Sequence, residues 1–143
     1  VILGQEPRNY LIKKIDQLKN VKHIDFVENY FEFLDQDWIY IYPLNVATGL
    51  QTKLQQALGI GLPVIANKIC LGGLNLTNHV NVLESKNDQD TINHITELLE
   101  NPSQRIKLGK SARAYICEIF CRSNIGNKYK KLYLNTLRLK NNK

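Results

Sequence analysis

Two apolar periodicities alternate along this chain, and no other feature restricts its fold as strongly. Trp38-Ile39-Tyr40-Ile41-Tyr42 is an unbroken aromatic and β-branched run stopped by Pro43, and Pro63-Val64-Ile65-Ala66 is a second such run. Runs of this length without polar alternation read as strands buried in a parallel sheet. Val1 to Leu3 and Val21 to Val27 are strand-like as well, and Val80 to Leu83 reads as an edge strand. Between them apolar residues recur at helical spacing: Leu11, Ile12, Ile15 and Leu18, a short stretch over Asn29 to Gln36, and Leu50 to Leu58 closed by Gly59 and Gly61. Strands alternating with helices imply βαβ units, so the expected class is α/β, a Rossmann-like parallel sheet flanked by helices.

After Leu83 the pattern changes to helices alone. Ile92, Ile95, Leu98 and Leu99 mark one. Asn101-Pro102-Ser103 starts the next, with proline in its first turn and an apolar line through Leu108, Ala112, Tyr115 and Ile119. A last helix from about Asn124 carries Ile125, Tyr129, Leu132, Thr136 and Leu139 on one stripe. These C-terminal helices are expected to pack back on the sheet. With 143 residues, no internal repeat and no linker, residues 1–143 are expected to form a single domain.

Several classes are disfavoured at once. The longest near-continuous apolar stretch, Ala57 to Ala66, is far short of the ~20 residues that cross a bilayer as a helix. Cys70, Cys117 and Cys121 are odd in number and contain no Cys-x-x-Cys pair, which points to free thiols in a reducing cytoplasm and to no metal site. Asn75-Leu76-Thr77 matches a glycosylation sequon that a cytoplasm would not use. His23, His79 and His94 are far apart in sequence and read as surface or packing residues. The net charge of +6 is unevenly placed: residues 101–143 hold eleven Lys/Arg against one acid, Glu118, whereas residues 1–100 are net negative. A basic last third suits an anionic membrane surface, nucleic acid or plain solvent. Lys128, Lys130, Lys131, Arg138 and Lys140 belong to no nucleic-acid motif, so no nucleic-acid partner is expected.

In an open parallel sheet a ligand sits beyond the carboxyl ends of the strands, which directs attention to the loops after Leu3, Val27, Tyr42 and Ala66. The loop after Tyr42 runs through Thr48-Gly49 into a helix expected to start near Leu50. A helix N-terminus offers unpaired N–H groups and partial positive charge, which suits a phosphate. Thr48, Gly49, Leu50 and Gln51 therefore form a candidate anion cradle, with Lys53 adding a positive charge and Gln56 one turn further along. Gly4, in the turn Gly4-Gln5-Glu6-Pro7, is a further candidate for close backbone approach. There is no Walker loop, Gly-x-Gly-x-x-Gly, nucleophile elbow or His-Glu-x-x-His, so no catalytic residue is assigned.

The stretch from Tyr42 to Ala66 resembles the donor-binding segment of retaining GT-B glycosyltransferases of family 4, the glycosyl transferases group 1. In that family the pattern Lys-x-x-Glu-Ala-x-x-x-Gly-x-Pro-Val-(Val/Ile)-Ala follows a glycine-containing loop, and Lys53, Ala57, Gly61, Pro63, Val64 and Ala66 match it. The likeness extends to Leu3-Gly4-Gln5-Glu6-Pro7, to Ile24-Asp25-Phe26-Val27 and to Gly73-Leu74. It resumes at Leu99 to Phe120 through Asn101, Pro102, Arg105, Leu108, Gly109, Ala112, Arg113 and Phe120. The departures are specific. The family's ribose-binding Glu is Gln56 here, its earlier sugar-contacting Glu is Gly49, a Lys of one branch is Gln51, and a Glu before the later glycine is Gly72.

The resemblance implies the C-terminal half of a GT-B fold. It implies binding of a nucleoside-diphosphate sugar, with donor contacts from Gly4, Thr48, Gly49, Leu50, Gln51, Lys53 and Gln56. The implied reaction is retaining transfer of a hexosyl group to an acceptor hydroxyl in bacterial lipopolysaccharide or other surface-glycan synthesis, with no essential metal or cofactor. The family's first strand and helix, with an Arg/Lys pair, and its N-terminal acceptor domain have no counterpart in this sequence. The chain is therefore expected to be a fragment of a longer cytoplasmic enzyme, inactive alone and partnered by that domain and by an anionic membrane surface. The alternative from another class is a non-catalytic GT-B-like binding domain.

Overall fold

Val64, Ile65 and Ala66 keep 1% or less of their surface because the strand they belong to, β4 (Val64–Asn67), is the middle one of three. It pairs in parallel with β3 (Tyr40–Tyr42) on one side and β5 (Leu83–Ser85) on the other. These elements come from a computed structural model, which describes residues 1–4, 7, 9–35 and 37–141, with side chains as far as residue 138. The chain divides into two compact units, Val1–Asp35 and Gln36–Lys143.

In the first unit β1 (Ile2–Leu3) pairs in parallel with β2 (His23–Ile24), and α1 (Asn9–Asp16) connects them. Ile15 on α1 is buried, and Lys13 and Lys14 complement the helix dipole at the last turn. The expected helix over Asn29 to Gln36 is the single turn α2 (Tyr30–Phe33), and Gln36 lies outside the described residues. Asn29 caps it: its Oδ1 accepts from the amides of Phe31 and Glu32, and its Nδ2 donates to Glu32 Oε1 at 2.6 Å. The helix stops where Leu34 turns to extended backbone, φ −80° and ψ 120°. Gln5 and Glu6 of the expected glycine turn also lie outside the described residues.

In the second unit α3 (Thr52–Ile60) joins β3 to β4 and buries Leu54, Ala57 and Leu58, the i, i+3, i+4 stripe of an amphipathic helix. A 3₁₀ turn over Lys68–Leu71 follows β4. Then come β5, α4 (Asp88–Glu100) and α5 (Pro102–Phe120). Ile65, Leu83, Leu98 and Leu108 form one buried cluster, with Ile39 and Ile95 against it. Tyr115 on α5 donates its hydroxyl to the Leu74 carbonyl, 2.9 Å away, and so ties the helix to the loop behind the sheet.

Four expectations are corrected. Helix α3 begins at Thr52 rather than Leu50, because Gln51 has extended backbone and acts as the N-cap. The last strand is Leu83–Ser85 rather than Val80–Leu83, since His79 adopts a left-handed turn just before it. The run Trp38–Tyr42 is not buried throughout: among the described residues β3 is paired with β4, and Ile41 is 40% exposed. Finally, α6 (Arg122–Asn141) does not cover its stripe on the sheet. Tyr129, Leu132 and Tyr133 stay 58%, 61% and 66% exposed, while the side chains of Leu139 and Lys140 lie outside the described residues.

Candidate functional site

The loop after β3 is held by the first residues of the helix it feeds. Tyr42 donates its hydroxyl to Gln51 Oε1 at 2.9 Å. The Gln51 amide nitrogen in turn donates to the carbonyls of Thr48 and Gly49, at 3.0 and 3.3 Å. Burial, with a smaller contribution from the Cys70 thiol, pushes the Tyr42 phenol up from its ordinary range, so it stays a donor at neutral pH. Burial likewise raises the Cys70 thiol, which donates to the Leu44 carbonyl.

Because Gln51 spends its side chain on the loop, it makes no cap for α3. The first-turn amides of Thr52, Lys53 and Leu54 have no intrahelical acceptor by geometry, and the first bond of the helix is Gln55 N–H to Gln51 O at 3.0 Å. The result is a helix N-terminus with a free dipole end, preceded by an exposed loop at the carboxyl end of a parallel strand. Gly49 stands in the left-handed region, φ +64°, and a Cβ there would meet nothing within 4 Å. The glycine is therefore required by its backbone conformation, with open space beside it.

The structure thus brings six of the seven candidate residues into one segment. Thr48, Gly49 and Leu50 lie exposed in the loop, Gln51 is the cap, Lys53 is exposed in the first turn, and Gln56 is half-buried one turn on. Gly4 belongs to the other compact unit, where its carbonyl accepts from His23 Nε2 at 2.8 Å.

Replacing Tyr42 by phenylalanine would orphan the Gln51 oxygen and release the loop. The expected cost is ~1 kcal/mol, the usual net worth of a hydrogen bond, with faster amide exchange across residues 48–51 while β4 is unaffected. Hydrogen-exchange measurements on the parent and Tyr42→Phe proteins check this.

Sequence reasoning missed two assemblies. His79 and His94 meet edge to face, with ring centroids 5.7 Å apart. His94 Nδ1 lies 3.4 Å from Glu97 Oε2, and Gln104, hydrogen-bonded to Glu97, is the main cause that holds the Glu97 carboxyl below its ordinary range. Fifteen residues separate the two histidines, and no short-range pattern could have paired them. The second assembly is a cavity of about 410 Å³ at the carboxyl ends of β4 and β5, lined by Asn45, Asn67, Lys68, Ile69, Glu84, Ser85 and Lys86. The loop after Ala66 was singled out in the sequence, but the contribution of the loop after β5 depends on strand order. Among the described residues, no three His, Cys, Asp or Glu side chains are grouped to hold a metal ion.

The family model described as glycosyl transferases group 1 matches residues 1–101. No curated protein matches significantly. Among solved structures, the C-terminal domain of a glycosyl transferase group 1 family protein, LpcC, from Francisella tularensis is similar with a TM-score of 0.61 at 18% identity. That match covers 78% of this chain and 60% of that one. Sucrose-phosphate synthase from Thermosynechococcus elongatus is similar with a TM-score of 0.68 at 15% identity, covering 96% of this chain and 38% of that one. At these identities the likeness is one of fold, a Rossmann-like GT-B C-terminal domain, and the chain spans less than two thirds of either structure.

Proposed function

Since this chain belongs to the glycosyl transferases group 1 family, we propose that it is the nucleotide-sugar-binding domain of a retaining glycosyltransferase that moves a hexosyl group to an acceptor hydroxyl. The observation that carries this reading is the uncapped N-terminus of α3, set behind the left-handed Gly49 at the carboxyl end of β3. A diphosphate there accepts from the amides of Thr52, Lys53 and Leu54 and lies at the positive end of the helix dipole. The Lys53 ammonium adds charge. As the glycosidic bond breaks, negative charge grows on the departing diphosphate, and the same donors stabilise it without an essential metal or cofactor. Gln56, one turn along, offers an amide oxygen to the ribose hydroxyls.

The acceptor site, in this reading, lies in an N-terminal domain outside this sequence, so the chain alone turns over no sugar nucleotide. The setting we infer is bacterial, cytoplasmic and directed to lipopolysaccharide or another surface glycan. Calorimetric titration with nucleoside diphosphates tests the donor site. Binding is expected, and Gln56→Glu should tighten it by about fivefold, because a charged acceptor gains ~1 kcal/mol over a neutral one. Absence of binding by every nucleoside diphosphate would favour the alternative, a non-catalytic GT-B-like domain, to which the neutral Gln56 already lends weight.

Helix α6 supports a second partner, an anionic membrane surface. It carries six Lys/Arg and no acid, with Tyr129, Leu132, Tyr133 and Leu137 exposed. Such a helix lies in the membrane interface, with each well-placed cation contributing ~1 kcal/mol against anionic lipid. No helix among the described residues is long and apolar enough to cross a membrane. At low salt the chain should co-sediment with phosphatidylglycerol vesicles and not with phosphatidylcholine ones, and equal sedimentation with both would overturn this assignment.

A further inference from the structure

The cavity at the ends of β4 and β5 contains an unsolved polar problem. Ser85 is 1% exposed, and its Oγ has no hydrogen-bond partner among the described residues. A buried hydroxyl left in that state is uncommon and costs free energy until a partner arrives. Parallel register sets its surroundings. Asn67 and Ser85 are the last residues of β4 and β5 and are direct partners across the ladder. The next residue on each strand is a lysine, so Lys68 and Lys86 leave neighbouring strands at the same level and both line the cavity. Like charges side by side on adjacent strands repel unless an anion lies between them.

Asn67 Nδ2 is committed to the Leu44 carbonyl and to Asn45 Oδ1, at 3.2 and 3.1 Å, which fastens the β3 loop as one wall. Asp90, four positions on, accepts from the Lys86 amide through Oδ2. The charged residues of the lining are Lys68, Lys86 and Glu84, two cations to one carboxylate.

We propose that this cavity is a binding site for a phosphate group, free or carried by a sugar, with Ser85 Oγ–H donating to a phosphate oxygen and Lys68 and Lys86 flanking it. It is built from the ends of β4 and β5 rather than from α3, and it does not depend on the nucleotide-sugar reading.

Amide NMR of the whole chain tests it. Inorganic phosphate, glucose 6-phosphate and, at matched ionic strength, chloride are titrated in parallel. The expected result is saturable shifts of the Lys68, Ser85 and Lys86 amides with both phosphates and none with chloride. Ser85→Ala should weaken binding about tenfold, as loss of a hydrogen bond to a charged acceptor does, and Lys68→Gln with Lys86→Gln should abolish it. The spectrum itself reports that each variant is folded. Tighter binding of glucose 6-phosphate assigns the site to a sugar-borne phosphate, and equal or weaker binding assigns it to the free ion. Shifts that also follow chloride, no shifts at all, or an Ser85→Ala protein that titrates like the parent would overturn the proposal. Uridine diphosphate is added separately while the Thr52 and Lys53 amides are followed, so failure of the nucleotide reading is seen apart from failure here.

Discussion

Replacing Gly109 by alanine should cost about 3 kcal/mol or more of stability, the largest single effect expected in this chain. Gly109 is buried in α5, and a Cβ built on it falls far inside van der Waals contact with the Gly61 carbonyl oxygen and 3.0 Å from the Gly61 carbonyl carbon. Both contacts are backbone, so no side chain can swing aside, and α5 would have to lift away from the turn after α3. Overpacking ordinarily costs ~1–3 kcal/mol, and a backbone collision belongs at or above the top of that range. Gly61 cannot yield easily. It ends α3 in the left-handed conformation, φ +89°, its N–H bonded to the Leu58 carbonyl, and Leu62 N–H bonds back to Ala57. Urea denaturation of Gly109→Ala checks this against Gly126→Ala in α6, where a Cβ meets nothing within 4 Å. The second substitution should be neutral or stabilising by ~0.5–1 kcal/mol through helix propensity. A Gly109→Ala midpoint equal to the parent's would refute the packing argument.

Replacing Gly49 by valine should lower affinity for a nucleoside diphosphate at least tenfold. A β-branched residue at φ +64° pays about 1–2 kcal/mol for the left-handed backbone, so the loop relaxes and the path to the α3 amides changes shape. Gly49→Asn separates conformation from space, because asparagine tolerates that region while still placing a side chain in the open volume. It should bind more weakly than the parent but more tightly than Gly49→Val. Calorimetry measures all three. Parent-like binding by both variants would remove the α3 N-terminus as the nucleotide site.

These two glycines show how far the primary structure could be followed. Gly61 and Gly109 each stand in a recognisable local pattern, the first before Pro63-Val64 and the second between Leu108 and Ala112. Nothing in either pattern says that the two touch, because the contact spans 48 positions and arises from α5 packing across the α3 turn. The same holds for the candidate site. A glycine loop entering a helix was legible, yet the residue that starts the helix was not. Gln51 is a cap without a side-chain cap bond because Tyr42, nine positions away, draws its amide toward the loop.

Element type and order along the chain followed from short-range periods, 2.0 residues for a strand and 3.6 for a helix, which are properties of neighbouring side chains. The apolar run at Val64–Ala66, the α3 stripe of Leu54, Ala57 and Leu58, and the proline start of α5 are all of that kind. Adjacency is of another kind. That β4 lies between β3 and β5, that Lys68 and Lys86 share one rim, and that the stripe of α6 faces outward depend on which distant surfaces bury each other. A helical stripe has the same periodicity whether a sheet, a lipid surface or another chain covers it, so the pattern of α6 could establish that it is amphipathic but not what it meets.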